Sequence, residues 1–223
     1  MKRFSLFMVV IMMLVTSCSN DDSLEKNISQ GKNFSFKSET DSSGVAVSVF
    51  NEVIEEYVLN YQKSVTTQDE VINAIEAIMK SNLNFKSLDG CNEVITQKGQ
   101  IENCIEYPMT VVRSLPYSGA FLNSIDTFFN QEVNIDDNIA VIVADYMAKV
   151  NNDVTLNDEE KRLLIMYSSL ANEINKQKNK FGKGDDDEGW DMTRSVMATG
   201  LEGSLYSTAQ GVINMTVLTA LSL

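Results

Sequence analysis

The chain has 223 residues, with 31 acidic against 18 basic side chains, no histidine, eleven glycines and two prolines. A net charge of −13 repels phosphate backbones and anionic lipid, which argues against nucleic-acid binding and against docking on a membrane by surface charge. The missing histidine removes Ser-His-Asp and Cys-His catalysis, histidine-based proton transfer and histidine-ligated zinc, while few glycines and prolines favour helices over a turn-rich sandwich.

At the start, Lys2 and Arg3 precede an apolar run over 4–15, followed by Thr16, Ser17 and Cys18. A basic start, a short apolar core and small residues before a cut form the layout of a secretory signal peptide, here over 1–17. The run is too short to span a hydrocarbon core, which needs roughly 20 residues. The segment Leu14-Val15-Thr16-Ser17-Cys18 resembles the lipobox of bacterial lipoproteins. That resemblance implies that Cys18 is lipidated, carries a diacylglycerol and an N-acyl chain such as palmitate, and becomes the first mature residue. It implies that the protein's membrane partner is reached through this anchor, since more than one acyl chain gives stable attachment. Ser19 directly after the cysteine resembles lipoproteins destined for the outer membrane. Asp21 and Asp22 resemble the export tag of surface lipoproteins in the Bacteroidota, or a plain acidic linker, so the periplasmic side and the cell surface both stay open. Asp22-Ser23-Leu24 matches the O-glycosylation pattern of that group. The body of the chain resembles no named domain family.

Residues 18–43 are rich in Ser, Asn, Asp, Lys and Gly and read as a lipidated flexible tether. The helical domain is expected over 44–181. Phe50, Val53, Ile54, Tyr57, Val58 and Tyr61 form one helical stripe. Thr67-Gln68-Asp69-Glu70 is a capping box that opens a second helix burying Val71, Ile72, Ile75, Ile78 and Met79. Residues 83–116 break the helical period with Asp89-Gly90, Lys98-Gly99, Tyr107-Pro108 and Leu115-Pro116. They read as an irregular insert in which 94–96 and 109–112 are short strands or loop. With Cys18 assigned to lipid, Cys91 and Cys104 remain as a pair in an oxidising compartment, and a disulfide between them is expected. Further stripes follow: Phe121, Leu122, Ile125, Phe128 and Phe129; then Ile139, Val143, Tyr146, Met147 and Val150, with Asp136 and Asp137 at the N-terminal end. Asn157-Asp158-Glu159-Glu160 caps a helix carrying Leu163, Leu164, Tyr167, Leu170, Ala171 and Ile174, with Gly182 as its stop.

Residues 182–189 read as an acidic linker, and 190–223 as a C-terminal helical segment packed on the bundle. From Gly203 onward no residue is charged, and small residues recur at Gly200, Ser204, Ser207, Thr208 and Gly211. Such spacing suits close helix packing in a buried hairpin or in a membrane. The fold class is therefore mainly α: a helical bundle of about five or six helices with a short irregular, disulfide-containing insert.

The sequence nominates no catalytic residue, no metal ligand and no cofactor. Asp185-Asp186-Asp187-Glu188-Gly189 fails the EF-hand pattern, because Gly184 and Ser195 would fall at positions 1 and 12. The pairs Glu55/Glu56, Asp136/Asp137 and Asp158/Glu159 are adjacent, and adjacent helical residues do not face each other. Tyr57, Tyr61, Tyr146 and Tyr167 are core bodies with polar tips, or the lining of a glycan or peptide groove. Trp190 anchors a partner or pins the last helix to the bundle. Three functions follow in order: a non-enzymatic lipoprotein of the outer membrane or cell surface that binds a protein or glycan partner or serves the envelope; a membrane-active, bacteriocin-like factor using 190–223; and a carboxylate-based hydrolase.

Overall fold

The computed structural model describes residues 42–133, 138–181 and 186–223. The expected signal peptide, Cys18 and nearly all of the tether lie outside them, as do Asp136, Asp137 and Gly182. The described residues form nine α-helices and no strand: α1 Ser42–Asn60, α2 Gln68–Ser81, α3 Lys98–Glu106, α4 Pro108–Arg113, α5 Gly119–Phe129, α6 Ile139–Asn152, α7 Asp158–Phe181, α8 Asp186–Ser204 and α9 Thr208–Ser222. One turn of 3-10 helix, Phe85–Ser87, follows α2. The mainly α class holds, with more and shorter helices than the five or six expected.

The amphipathic stripes pack inward as their periodicity requires. On α1, Phe50, Val53, Ile54 and Tyr57 are buried, and on α7 all six stripe residues from Leu163 to Ile174 are. The helix starts are fixed locally. Thr67 accepts from the Glu70 amide at 3.3 Å while the Glu70 carboxylate accepts from the Thr67 amide at 3.0 Å. Asn157 and Glu160 repeat that reciprocal pair at 2.9 and 3.1 Å. Each box satisfies amides that the first turn leaves without a helical partner.

The insert departs from expectation in two ways. Residues 98–106 and 108–113 are helical, so Met109 to Val112 are neither strand nor loop. Pro108 sits at the first position of α4, where its missing N–H costs nothing and its fixed φ suits a helix. The second departure concerns the staple: Cys91 and Cys104 are free thiols, not a disulfide. Cys91 donates to the Lys86 carbonyl at 3.3 Å, and Cys104 donates to the Glu202 carboxylate at 3.1 Å. What ties the insert down is the pair α8 and α9: α3 and α4 pack on α8, and two hydrogen bonds reach α9. The Ala209 amide donates to the Asp89 carbonyl at 3.0 Å, and the Ile95 amide donates to Gln210 Oε1 at 3.0 Å. Gly90, at φ 74°, occupies the left-handed region that glycine tolerates, and any Cβ there would strike the Ser207 side chain.

The expected linker is also partly helix, because α8 begins at Asp186. Trp190 on that helix is buried and meets Phe128 edge-on at 5.0 Å, so it pins α8 to the bundle.

Helix α9 forms the centre. Every residue from Thr208 to Ala220 is buried, which is the signature of a helix enclosed on all sides. It lies against α8, α2 and α1, while α8 also meets α7, α3 and α4, and α7 meets α6 and α1. The α8–α9 seam is closed by glycines. A Cβ on Gly203 would come 2.7 Å from the Gly211 Cα, and one on Gly211 would come 2.7 Å from the Gly200 carbonyl. The Tyr167 ring of α7 lies across the same seam, close enough that a Cβ at Gly200 or Gly211 would collide with it. Several polar side chains of α9 turn back on the helix or on each other, while Thr208 Oγ1 and Asn214 Nδ2 are buried without a partner among the described residues. Thr216 and Thr219 donate to Val212 and Met215 carbonyls, and Gln210 donates to Asn214 Oδ1 at 2.7 Å. No helix among the described residues is long and apolar enough to cross a membrane.

Candidate functional site

The sequence-derived candidates scatter. Glu55, Glu56, Asp158 and Glu159 are exposed on polar helix faces. No group of three or more Cys, Asp or Glu side chains among the described residues is placed to hold a metal ion. Among the described residues Cys104 is the one buried thiol, and its surroundings oppose nucleophilic chemistry. Burial first, then the hydrogen bond and negative charge of Glu202, push its pKa upward and keep it protonated. Tyr57 and Tyr167 are core bodies, and Tyr61 is half-buried.

Tyr146 is different, because it borders an open groove of about 570 Å³ between α5 and α6. The size falls in the range of small-molecule sites. Ala120, Asn123, Ser124, Thr127 and Gln131 make one wall. Their spacing of three, one, three and four residues places them on a single face along and just past α5, a run of roughly 15 Å at 1.5 Å per residue. Tyr146, Lys149 and Asp153 face them from α6 and its C-terminal cap, with Thr155 just beyond. Phe128 lies below, stacked on Tyr146 at 4.1 Å between ring centres. Ser118 and Asn138 cap the two helices by accepting from the Phe121 and Ala140 amides, which fixes where each wall begins.

The groove is polar and electrically mixed. The Tyr146 hydroxyl lies 3.2 Å from the Ser124 hydroxyl, and burial raises its pKa, so it remains a neutral donor and acceptor. Asp153 accepts from the Thr155 hydroxyl at 2.6 Å and from its amide at 2.8 Å, which lower its pKa and hold it ionised. Thr127 donates to the Asn123 carbonyl at 2.8 Å, leaving its lone pairs free to accept. The side-chain amides of Asn123 and Gln131 and the Lys149 ammonium line the groove and make no hydrogen bond or ion pair with another of the described residues. Of this set the sequence singled out Phe128 as a core position and Tyr146 as a core body or the lining of a glycan or peptide groove. Nothing in the sequence marks Asn123, Ser124, Thr127 or Gln131, and only the neighbouring helix turns them into a wall.

No family model, no curated protein and no solved structure matches this chain.

Proposed function

We propose that this chain is a lipid-anchored, non-enzymatic binding protein of the bacterial outer membrane or cell surface. The observation that carries the reading is Val15-Thr16-Ser17-Cys18 at the end of a basic and then apolar leader. Binding is favoured over catalysis by the absence of histidine from the whole sequence, by the dispersal of the exposed carboxylates and by a buried thiol kept neutral. The groove between α5 and α6 supplies a concave polar surface suited to a ligand. A membrane-active role for 190–223 would require α9 to leave a core in which thirteen successive residues are buried, and its 15 residues reach only about 22 Å.

Metabolic labelling of expressing cells with an alkyne-tagged palmitate tests the anchor. Wild type should incorporate label and partition into detergent, and Cys18→Ala should do neither. Unlabelled wild type with an intact N-terminus would overturn the reading. Protease shaving of intact cells then separates the two locations: release of the domain assigns the surface, and protection assigns the periplasmic side.

A further inference from the structure

We infer that the α5–α6 groove binds a short, neutral oligosaccharide, an assignment that rests on the reading of this chain as a binding protein and names its ligand class. The argument begins with what the walls offer. Asn123 and Gln131 each present an amide with donors and an acceptor, and neither is satisfied by another of the described residues. Ser124, Thr127, Tyr146 and Thr155 add hydroxyls, Lys149 adds donors, and Asp153 adds an ionised acceptor. Donors and acceptors therefore alternate along roughly 15 Å of groove. A sugar hydroxyl both donates and accepts, and a chain of sugars repeats that demand along its length. Phe128 and Tyr146, stacked on each other and both buried, close the floor of the groove.

Other ligand classes fit the same surface less well. A polyanion such as a phosphorylated glycan needs several cations, and the groove has Lys149 alone, with ionised Asp153 one helical turn away. An amphipathic peptide helix needs a continuous apolar trough, whereas the α5 wall is amide and hydroxyl. A peptide strand needs an open sheet edge, and the described residues contain no strand. A purely apolar ligand would strand the unsatisfied amides without water.

The groove has a built-in reporter. Trp190, the sole tryptophan, meets Phe128 edge-on at 5.0 Å from the protein side of the floor. Filling the groove should shift Trp190 emission.

The test applies the full chain, purified in detergent, to a printed array of neutral and anionic oligosaccharides and tripeptides, then titrates each captured compound against Trp190 fluorescence. Neutral oligosaccharides of two to four sugars are expected to bind. Asn123→Ala and Lys149→Ala should each weaken binding about tenfold, equivalent to roughly 1.4 kcal/mol and to the loss of one ligand hydrogen bond. Both side chains are exposed, so the unfolding temperature should not move, which separates a ligand contact from a folding defect. Capture of anionic glycans or peptides only, capture unaffected by both variants, or no capture would each overturn the assignment. Failure here with an acylated Cys18 leaves the anchor standing. Saccharide binding by a chain whose Cys18 is not acylated leaves the groove standing and removes the anchor.

Discussion

The bundle contains two seams of opposite character. Between α8 and α9 the backbones meet, because Gly200, Gly203 and Gly211 carry no side chain and the Tyr167 ring fills the space beside Gly200 and Gly211. Between α5 and α6 the helices stand apart, because amides, hydroxyls, a lysine and an aspartate line both faces and are better hydrated than paired. Helices of similar length in one domain thus give a sealed contact and an open one. The difference lies in side-chain size and polarity at a few positions, not in helix propensity. Stability should reside in the sealed seam and ligand chemistry in the open one.

The largest expected effect is at the sealed seam. Tyr167→Ala should cost about 3–5 kcal/mol by leaving a cavity against two glycines that cannot fill it, read as a fall in the denaturation midpoint. A smaller loss, near that of an exposed alanine substitution, would mean that the seam closes without the ring. Next comes Gly211→Ala. Its Cβ would press on Tyr167 and on the Gly200 carbonyl, and overpacking of this kind costs about 1–3 kcal/mol. Combining the two changes should cost less than their sum, since the ring that the methyl group strikes is gone. Strict additivity would contradict the proposed contact.

The pH dependence is a gentler probe. Cys104 has a raised folded-state pKa, so its contribution is complete below the unfolded thiol's value of about 8.5 and is lost as pH rises above it. Tyr146 and Tyr167, raised by burial, extend the loss above about pH 10. With no histidine, stability should be level from about pH 6 to 8 and fall on the alkaline side. Cys104→Ala should delay the start of that fall. An unchanged alkaline profile would show that the thiol is not buried against Glu202. Iodoacetamide footprinting checks the same point: half-buried Cys91 should label in the native state and Cys104 only after unfolding.

Much of the closed part was legible in the sequence because its causes are local. The Thr67 and Asn157 capping boxes need only four consecutive residues, and the stripe from Leu163 to Ile174 needs only its own helix. The uncharged run after Gly203 pointed to an enclosed helix, and the small residues at 200 and 211 to close packing. The rest depended on partners far along the chain. Pro108 read as turn punctuation because nothing local distinguishes a proline that ends a helix from one that begins it. The Cys91–Cys104 pairing came from elimination and compartment. The structure instead gives Cys104 to Glu202, 98 residues away, and holds the insert by packing on α8 and by one backbone and one side-chain hydrogen bond to α9. The groove was invisible for the same reason: Asn123, Ser124 and Thr127 gain meaning only opposite Tyr146 and Lys149.

Hydrogen exchange followed by mass spectrometry of the full chain, with and without phospholipid vesicles, tests the contrast between the seams most directly. Amides of 208–220 should exchange last, only through global unfolding, and vesicles should leave their rate unchanged, while α5 and the C-terminal half of α6, which line the groove, exchange earlier. Rapid exchange across 208–220 that slows when vesicles are added would contradict the account, because it would make α9 a membrane-seeking segment and not the centre of the fold.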